Sequence, residues 1–99
     1  MNPARGEAAI DVGGRTLTLR PTFAALVAAE QELGPLFALV ERAAAGGLKL
    51  AELVTLFWHC AERPESLARE DFGEAIAAGG LARATPALRV LLSQILQGR

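Results

Sequence analysis

Two short alternating segments around Gly13-Gly14 constrain the fold of this chain more than any other feature. Before the glycines, apolar residues alternate with Asp11, and after them apolar residues alternate with threonines. The apolar positions are Ile10, Val12, Leu17 and Leu19. This pattern predicts a two-stranded β-hairpin over about residues 8–20, with one apolar and one polar face. Because an isolated hairpin is marginal in water, we expect it to pack against helices.

The remainder of the chain predicts helices separated by Gly and Pro residues. Apolar residues recur at helical spacing over about residues 22–33, 35–45, 49–62, 67–78 and 85–97. Thr22 is the expected N-cap of the first helix, and Thr85-Pro86 is expected to begin the last. The fold class is therefore α+β, mostly α: an N-terminal β-hairpin packed on a bundle of four to five short α-helices, in a single domain spanning residues 1–99.

A chain of 99 residues suits one domain with one hydrophobic core. Much of its 52% hydrophobic content is alanine, which adds helix propensity more than burial energy. We therefore expect the core to come from the leucines and the four phenylalanines. In the first helix the expected apolar stripe consists of Phe23, Leu26, Val27 and Leu33.

The third predicted helix has an unusually wide apolar face, because Leu56 and Trp58 add to its regular apolar stripe. Either this helix is the central one, or part of its face binds another protein. Trp58 fits both interpretations, as a core brace or as an interface anchor. The last helix carries a regular leucine stripe. The candidate partner-binding residues are Trp58, Leu56, Leu92 and Leu96.

Charge and residue spacing argue against several function classes. The net charge is −1 with both signs interleaved, so we expect no nucleic-acid partner. His59 and Cys60 are adjacent, which splays them about 100° apart on a helix, and no second His or Cys completes a metal site. We predict no catalytic residue, no metal, no cofactor and no small-molecule substrate.

The acidic cluster and the glycine pair have simpler explanations than ligand binding. Glu70, Asp71 and Glu74 suit the solvated start of a helix better than a cation site, and Gly13-Gly14 joins strands rather than cradling a phosphate. A lone cysteine and the absence of an apolar leader or span predict a soluble cytoplasmic protein with no membrane partner.

Several segments in order carry a family resemblance. They are Arg5-Gly6-Glu7, the hairpin, the junction from Leu19 through Arg20-Pro21-Thr22-Phe23 to Leu26, then Glu32-Leu33-Gly34 and Leu56-Phe57-Trp58. With them, the chain resembles the gene-transfer-agent tail protein family of bacteria and their prophages, whose members are labelled tail tube proteins or tail assembly chaperones. The resemblance covers nearly the whole chain, and the Arg20 to Phe23 junction is its most specific part.

The resemblance implies a role in building a phage-like tail, with either of two functions. A tail assembly chaperone would bind the tape-measure protein or other tail proteins, whereas a tube component would need a large β domain that closes into rings. Two short strands favour the chaperone, in the bacterial cytoplasm, over a virion-associated tube subunit. A homodimer is a further expectation. A small helical DNA-binding regulator is the alternative from another class, disfavoured by the charge pattern.

Overall fold

The computed structural model describes residues 7–97, which form a hairpin followed by five helices. The elements are β1 (Ala8–Val12), β2 (Arg15–Leu19), α1 (Phe23–Leu33), α2 (Leu36–Ala44), α3 (Leu50–Cys60), α4 (Arg69–Gly79) and α5 (Leu81–Gln97). Arg5 and Gly6 of the Arg5-Gly6-Glu7 motif lie outside the described residues. The prediction of a mostly helical α+β fold with an N-terminal hairpin is confirmed.

The hairpin closes through a two-residue turn at Gly13-Gly14. Val12 is paired with Arg15, and both glycines have positive φ angles of 59° and 80°. A turn of this kind matches the right-handed twist of the strands and favours glycine at both positions. One face of the sheet is buried against the helices, through Ala8, Ile10, Val12, Leu17 and Leu19.

The outer edge of β2 is tied to the end of α3. The backbone N–H of Arg20 donates to the Cys60 carbonyl at 2.7 Å, and the N–H of Glu62 donates to the Thr18 carbonyl at 2.8 Å. Ala61 lies between them in an antiparallel bridge with Leu19. The Arg20 side chain adds ion pairs to Glu7 and Glu62, each at 3.2 Å. The hairpin is therefore fastened to the helices through the segment that follows α3.

Helix α3 is the central helix of the described fold. It packs against both α1 and α4, and it contributes five buried side chains. These are Leu53, Thr55, Leu56, Phe57 and Cys60. At Gly73 of α4, a β-carbon would lie 3.3 Å from a methyl group of Val54, so the missing side chain lets α4 approach α3 closely.

Two of the four phenylalanines lie outside the core, contrary to the sequence-based expectation. Phe23 is 84% exposed and Phe37 is 75% exposed. The predicted stripe of α1 is also only partly correct, since Val27 is exposed while Leu26 and Leu33 are half-buried. The buried residue of α1 is Ala29, whose small side chain allows close packing of the backbone. At 100° per residue, Phe23 lies about 120° around the helix from Ala29 and therefore faces solvent.

The start of α5 also differs from the prediction, because Pro86 lies inside the helix instead of at its first position. The helix begins at Leu81, directly after Gly80, whose φ angle is 87°. Thr85 does not cap it, and its hydroxyl donates to the Leu81 carbonyl at 3.1 Å. Proline costs one backbone hydrogen bond here, but burial of Ala84 against the core favours the additional turn.

In residues 7–97 there is no individual helix with the length and apolar character needed to cross a membrane. Two sharply bent helix pairs, Phe23–Leu33 with Leu36–Ala44 and Arg69–Gly79 with Leu81–Gln97, meet those criteria only on combined length and composition.

Candidate partner-binding surface

Helix α5 presents a row of half-exposed leucines beside its buried face. The buried face consists of Ala84, Ala87 and Leu91. Neighbouring positions around the helix form what we call the α5 stripe, defined as Leu81, Thr85, Leu88, Leu92 and Leu96. Its two ends are the most open, since Leu81 is 53% exposed and Leu96 is 54% exposed. At 1.5 Å per residue the stripe is about 22 Å long, which is the length of a four-turn helix.

An apolar groove continues the stripe at the N-terminal end of α5. We call it the α3–α5 groove; it has a volume of about 210 Å³ and is lined by Gly46, Leu48, Lys49, Leu50, Leu53, Leu81, Thr85 and Leu88. Leu50, at 44% exposed, lines this groove together with Leu81. Stripe and groove together form a continuous leucine-lined surface along one side of the protein.

Leu92 and Leu96, predicted to contact a partner, both belong to this surface. Leu56 does not belong to it, because this residue is 0% exposed and lies on the buried face of α3. The sequence could not separate the two cases, since leucines on the buried and open sides of a wide apolar face have the same pattern.

Trp58 is half-buried and has partners within the chain. Its ring meets Phe72 of α4 edge to face, with the ring centres 5.4 Å apart. On its other side the guanidinium carbon of Arg63 lies 3.7 Å from the ring centre. These contacts place Trp58 at the junction of α3 and α4, apart from the α5 stripe.

A polar cluster that the sequence analysis did not predict joins three helices. Glu32 of α1 accepts two hydrogen bonds from Arg69 of α4, at 2.8 and 3.0 Å, and also contacts the Nε2 atom of His59 on α3. The hydrogen bonds from Arg69, and secondarily that from His59, lower the pKa of Glu32 to about 2. No sequence signal indicates the Glu32–Arg69 pair, because these residues are 37 positions apart.

This cluster is suited to holding helices together rather than to catalysis. Arg69 also donates to the hydroxyl of Thr55 at 3.1 Å, and that hydroxyl donates in turn to the Ala51 carbonyl at 2.7 Å. The neighbouring Cys60 is buried, and desolvation raises its thiol pKa to about 12, so it stays protonated near neutral pH. Within residues 7–97, no three His, Cys, Asp or Glu side chains are grouped as a metal site requires.

Comparison with known proteins identifies the family. The sequence model of the family described as "Phage tail tube protein, GTA-gp10" matches residues 5–98. The chain belongs to this family. The resemblance to gene-transfer-agent and phage tail proteins that the sequence predicted is thereby confirmed. No curated protein and no solved structure matches the chain.

This family consists of phage tail proteins, and it is described by a structural role in the tail. Other tail proteins are accordingly the class of partner that the family suggests. The family description names the tail tube, whereas the residues described here form one two-stranded sheet and five helices.

Proposed function

We propose that this protein is a tail assembly chaperone of a gene transfer agent or prophage, which binds the tape-measure protein while the tail is built. In this role it acts in the bacterial cytoplasm, has no enzymatic activity and needs no cofactor. Its task is to cover apolar segments of a long helical protein until the tube subunits replace it.

The observation that carries this proposal is the leucine-lined surface of α5 and the α3–α5 groove. Leu50, Leu81 and Leu96 are each between 44% and 54% exposed, which is costly for a protein that works alone. A groove between helices with leucines at helical spacing is the usual binding site for an amphipathic segment. A chaperone for a helical protein requires such a surface and requires no active site.

A structural role in the tail tube is the second candidate, and the family description favours it. A tube wall needs sheets that close into a ring and continue between subunits. The sheet described here has two strands of five residues each, and part of its β2 edge is paired with the segment after α3. The amount of β structure in residues 7–97 therefore supports the chaperone over the tube subunit.

Co-expression with the tape-measure protein from the same tail gene cluster tests the proposal. We expect the two proteins to purify as a complex, and we expect the tape-measure protein to aggregate when expressed alone. The test variant carries Leu92→Ser together with Leu96→Ser. It should fold, and it should fail to keep the tape-measure protein in solution.

Purified tails provide the second arm of the test. A chaperone should be absent from finished particles, as measured by quantitative mass spectrometry. The presence of this chain at the same copy number as a ring-forming tube protein would overturn the chaperone proposal in favour of the tube component.

A further inference from the structure

The charged residues of α5 and of the groove lining are all basic. Helix α5 contains Arg83 and Arg89 and no acidic residue, although the whole chain has a net charge of −1. Arg89 lies three residues before Leu92 and seven before Leu96, which puts it beside the solvent side of the stripe. Lys49 lines the groove at the other end. This surface is therefore apolar along its length and basic at its border.

Neither cation at this border has an ion-pair partner among the residues described, 7–97. Both Arg89 and Lys49 are exposed, and the ion pairs found within that range involve other basic residues. Arg83 differs, because it lies on the opposite side of α5 and is 3.8 Å from Asp11 of β1. The backbone N–H of Lys49 lowers the pKa of nearby Glu52 by hydrogen bonding, and the charge of Lys49 contributes to the same effect, so Arg89 is the cation most available to an acidic partner.

We propose that the α5 stripe and the α3–α5 groove bind an amphipathic helix whose apolar face is bordered by Asp or Glu residues. This inference deepens the proposed function, and rests on it, by assigning the chemistry of the tape-measure segment that the protein recognises. The apolar face supplies the binding energy, whereas the acidic border selects the segment and its orientation.

The spacing of the stripe fits a helix as the bound element. Its members follow one another at intervals of four, three, four and four residues, so they form one continuous ridge about 22 Å long. A partner helix of about 15 residues would cover that ridge. The groove between Leu50 and Leu81 would accept a large apolar side chain at one end of the partner.

A second copy of this chain is a poorer occupant because of Arg89. This residue is at the midpoint of α5, which runs from Leu81 to Gln97. Two copies of α5 packed antiparallel through the stripe, about a two-fold axis at the midpoint of the helix, would bring their Arg89 side chains to the same side of the interface. Like charges in contact oppose association, so the surface is better suited to a different, acidic chain.

A membrane is also a poorer occupant. Attraction to an anionic lipid surface grows with the number of Lys and Arg residues near it, and this border offers only Arg89 and Lys49. An anionic vesicle is therefore a competing outcome of the test rather than the expected ligand.

The experiment compares two fluorescent peptides with the full chain. Both peptides are about 18 residues long and carry the same leucine stripe, with Glu at every border position in one and Lys in the other. Fluorescence anisotropy should show at least about tenfold tighter binding of the Glu peptide. Arg89→Glu should remove most of that preference, whereas the matched control Arg15→Glu, at the exposed hairpin turn, should not.

Three results would overturn the inference. They are equal binding of both peptides, binding to phosphatidylglycerol vesicles in preference to the Glu peptide, and a homodimer in light scattering that Leu96→Ser dissociates. Arg89→Gln, with thermal melting measured alongside, distinguishes a lost contact from a misfolded variant.

Failure of this inference and failure of the proposed function give different results. If the tape-measure protein binds but Arg89→Glu leaves the complex intact, the inference fails and the function stands. If the Glu peptide binds with the expected preference while the tape-measure protein does not bind, the function fails instead.

Discussion

The guanidinium of Arg63 stacks over the ring of Trp58, with 3.7 Å between the guanidinium carbon and the ring centre. The same side chain donates its Nε–H to the Trp58 carbonyl at 2.9 Å, and Phe72 meets the ring edge to face. Arg63 therefore covers one face of the Trp58 ring, and its hydrogen bond holds the segment after α3 against the end of that helix. We therefore expect Trp58 to contribute to the stability of the fold.

Replacement of Trp58 by alanine should lower the free energy of unfolding by about 3 kcal/mol, because it removes the contacts with Phe72 and Arg63 together. Urea denaturation followed by circular dichroism measures the loss. Phe37→Ala is the control, since that ring is 75% exposed and its removal should cost less than about 1 kcal/mol. An unchanged melting temperature with loss of partner binding would instead identify Trp58 as an interface anchor.

Acid should weaken the contact of α1 with α3 and α4 through Glu32. The pKa of this carboxylate falls from 4.5 to about 2 in the folded protein, first because Arg69 donates to it. A lowered pKa stabilises the fold above pH 4.5, and this contribution is lost as the pH falls towards 2. Melting temperatures between pH 7 and pH 2 should therefore decline less steeply for Glu32→Gln than for the wild type. Parallel curves for the two proteins would contradict this role of Glu32.

The Gly13-Gly14 turn should tolerate only residues that adopt positive φ angles. Gly13 has a φ angle of 59°, with open space where a β-carbon would stand. Backbone strain rather than a clash then decides the effect of a substitution. Gly13→Val should destabilise the fold by about 1–2 kcal/mol, whereas Gly13→Asn should cost much less. Equal stabilities of the two variants in thermal melting would show that the turn rearranges.

The elements that were predicted correctly are those determined by residues close together in the sequence. The hairpin follows from strict alternation around Gly13-Gly14, and Thr22 caps α1 as expected by accepting a hydrogen bond from the Ala25 N–H at 3.1 Å. The same region contains the Arg20 to Phe23 junction, the most specific part of the family resemblance, and the family model matches residues 5–98.

Features that depend on the packing of distant residues could not be predicted in this way. The bond between Glu32 and Arg69 joins helices far apart in the chain, and the exposure of Phe23 depends on which side of α1 faces α3. Pro86 is the most direct example. Local preference begins a helix at Thr85-Pro86, yet the helix starts at Leu81 and the turn before Pro86 is helical, with Ala84 buried.

Cys60 should resist alkylation while the protein is folded. Its side chain is buried, and desolvation raises the thiol pKa to about 12, so the reactive thiolate is scarce at pH 8. Iodoacetamide should modify it slowly in buffer and rapidly in urea, as followed by intact mass. Fast labelling of the folded chain would mean that the junction of α3 with β2 opens readily.

The exposed end of the α5 stripe allows binding to be separated from folding. Leu96 is 54% exposed, so Leu96→Ser should change the free energy of unfolding by less than about 0.5 kcal/mol. If the stripe holds the tape-measure protein, the same substitution should weaken that complex by more than about 1 kcal/mol, because the leucine becomes buried on binding. Phe23→Ser is the matched control, since Phe23 is 84% exposed on α1 and lies outside the stripe. Isothermal titration with a tape-measure fragment measures both variants, and equal weakening by the two would locate the binding surface elsewhere.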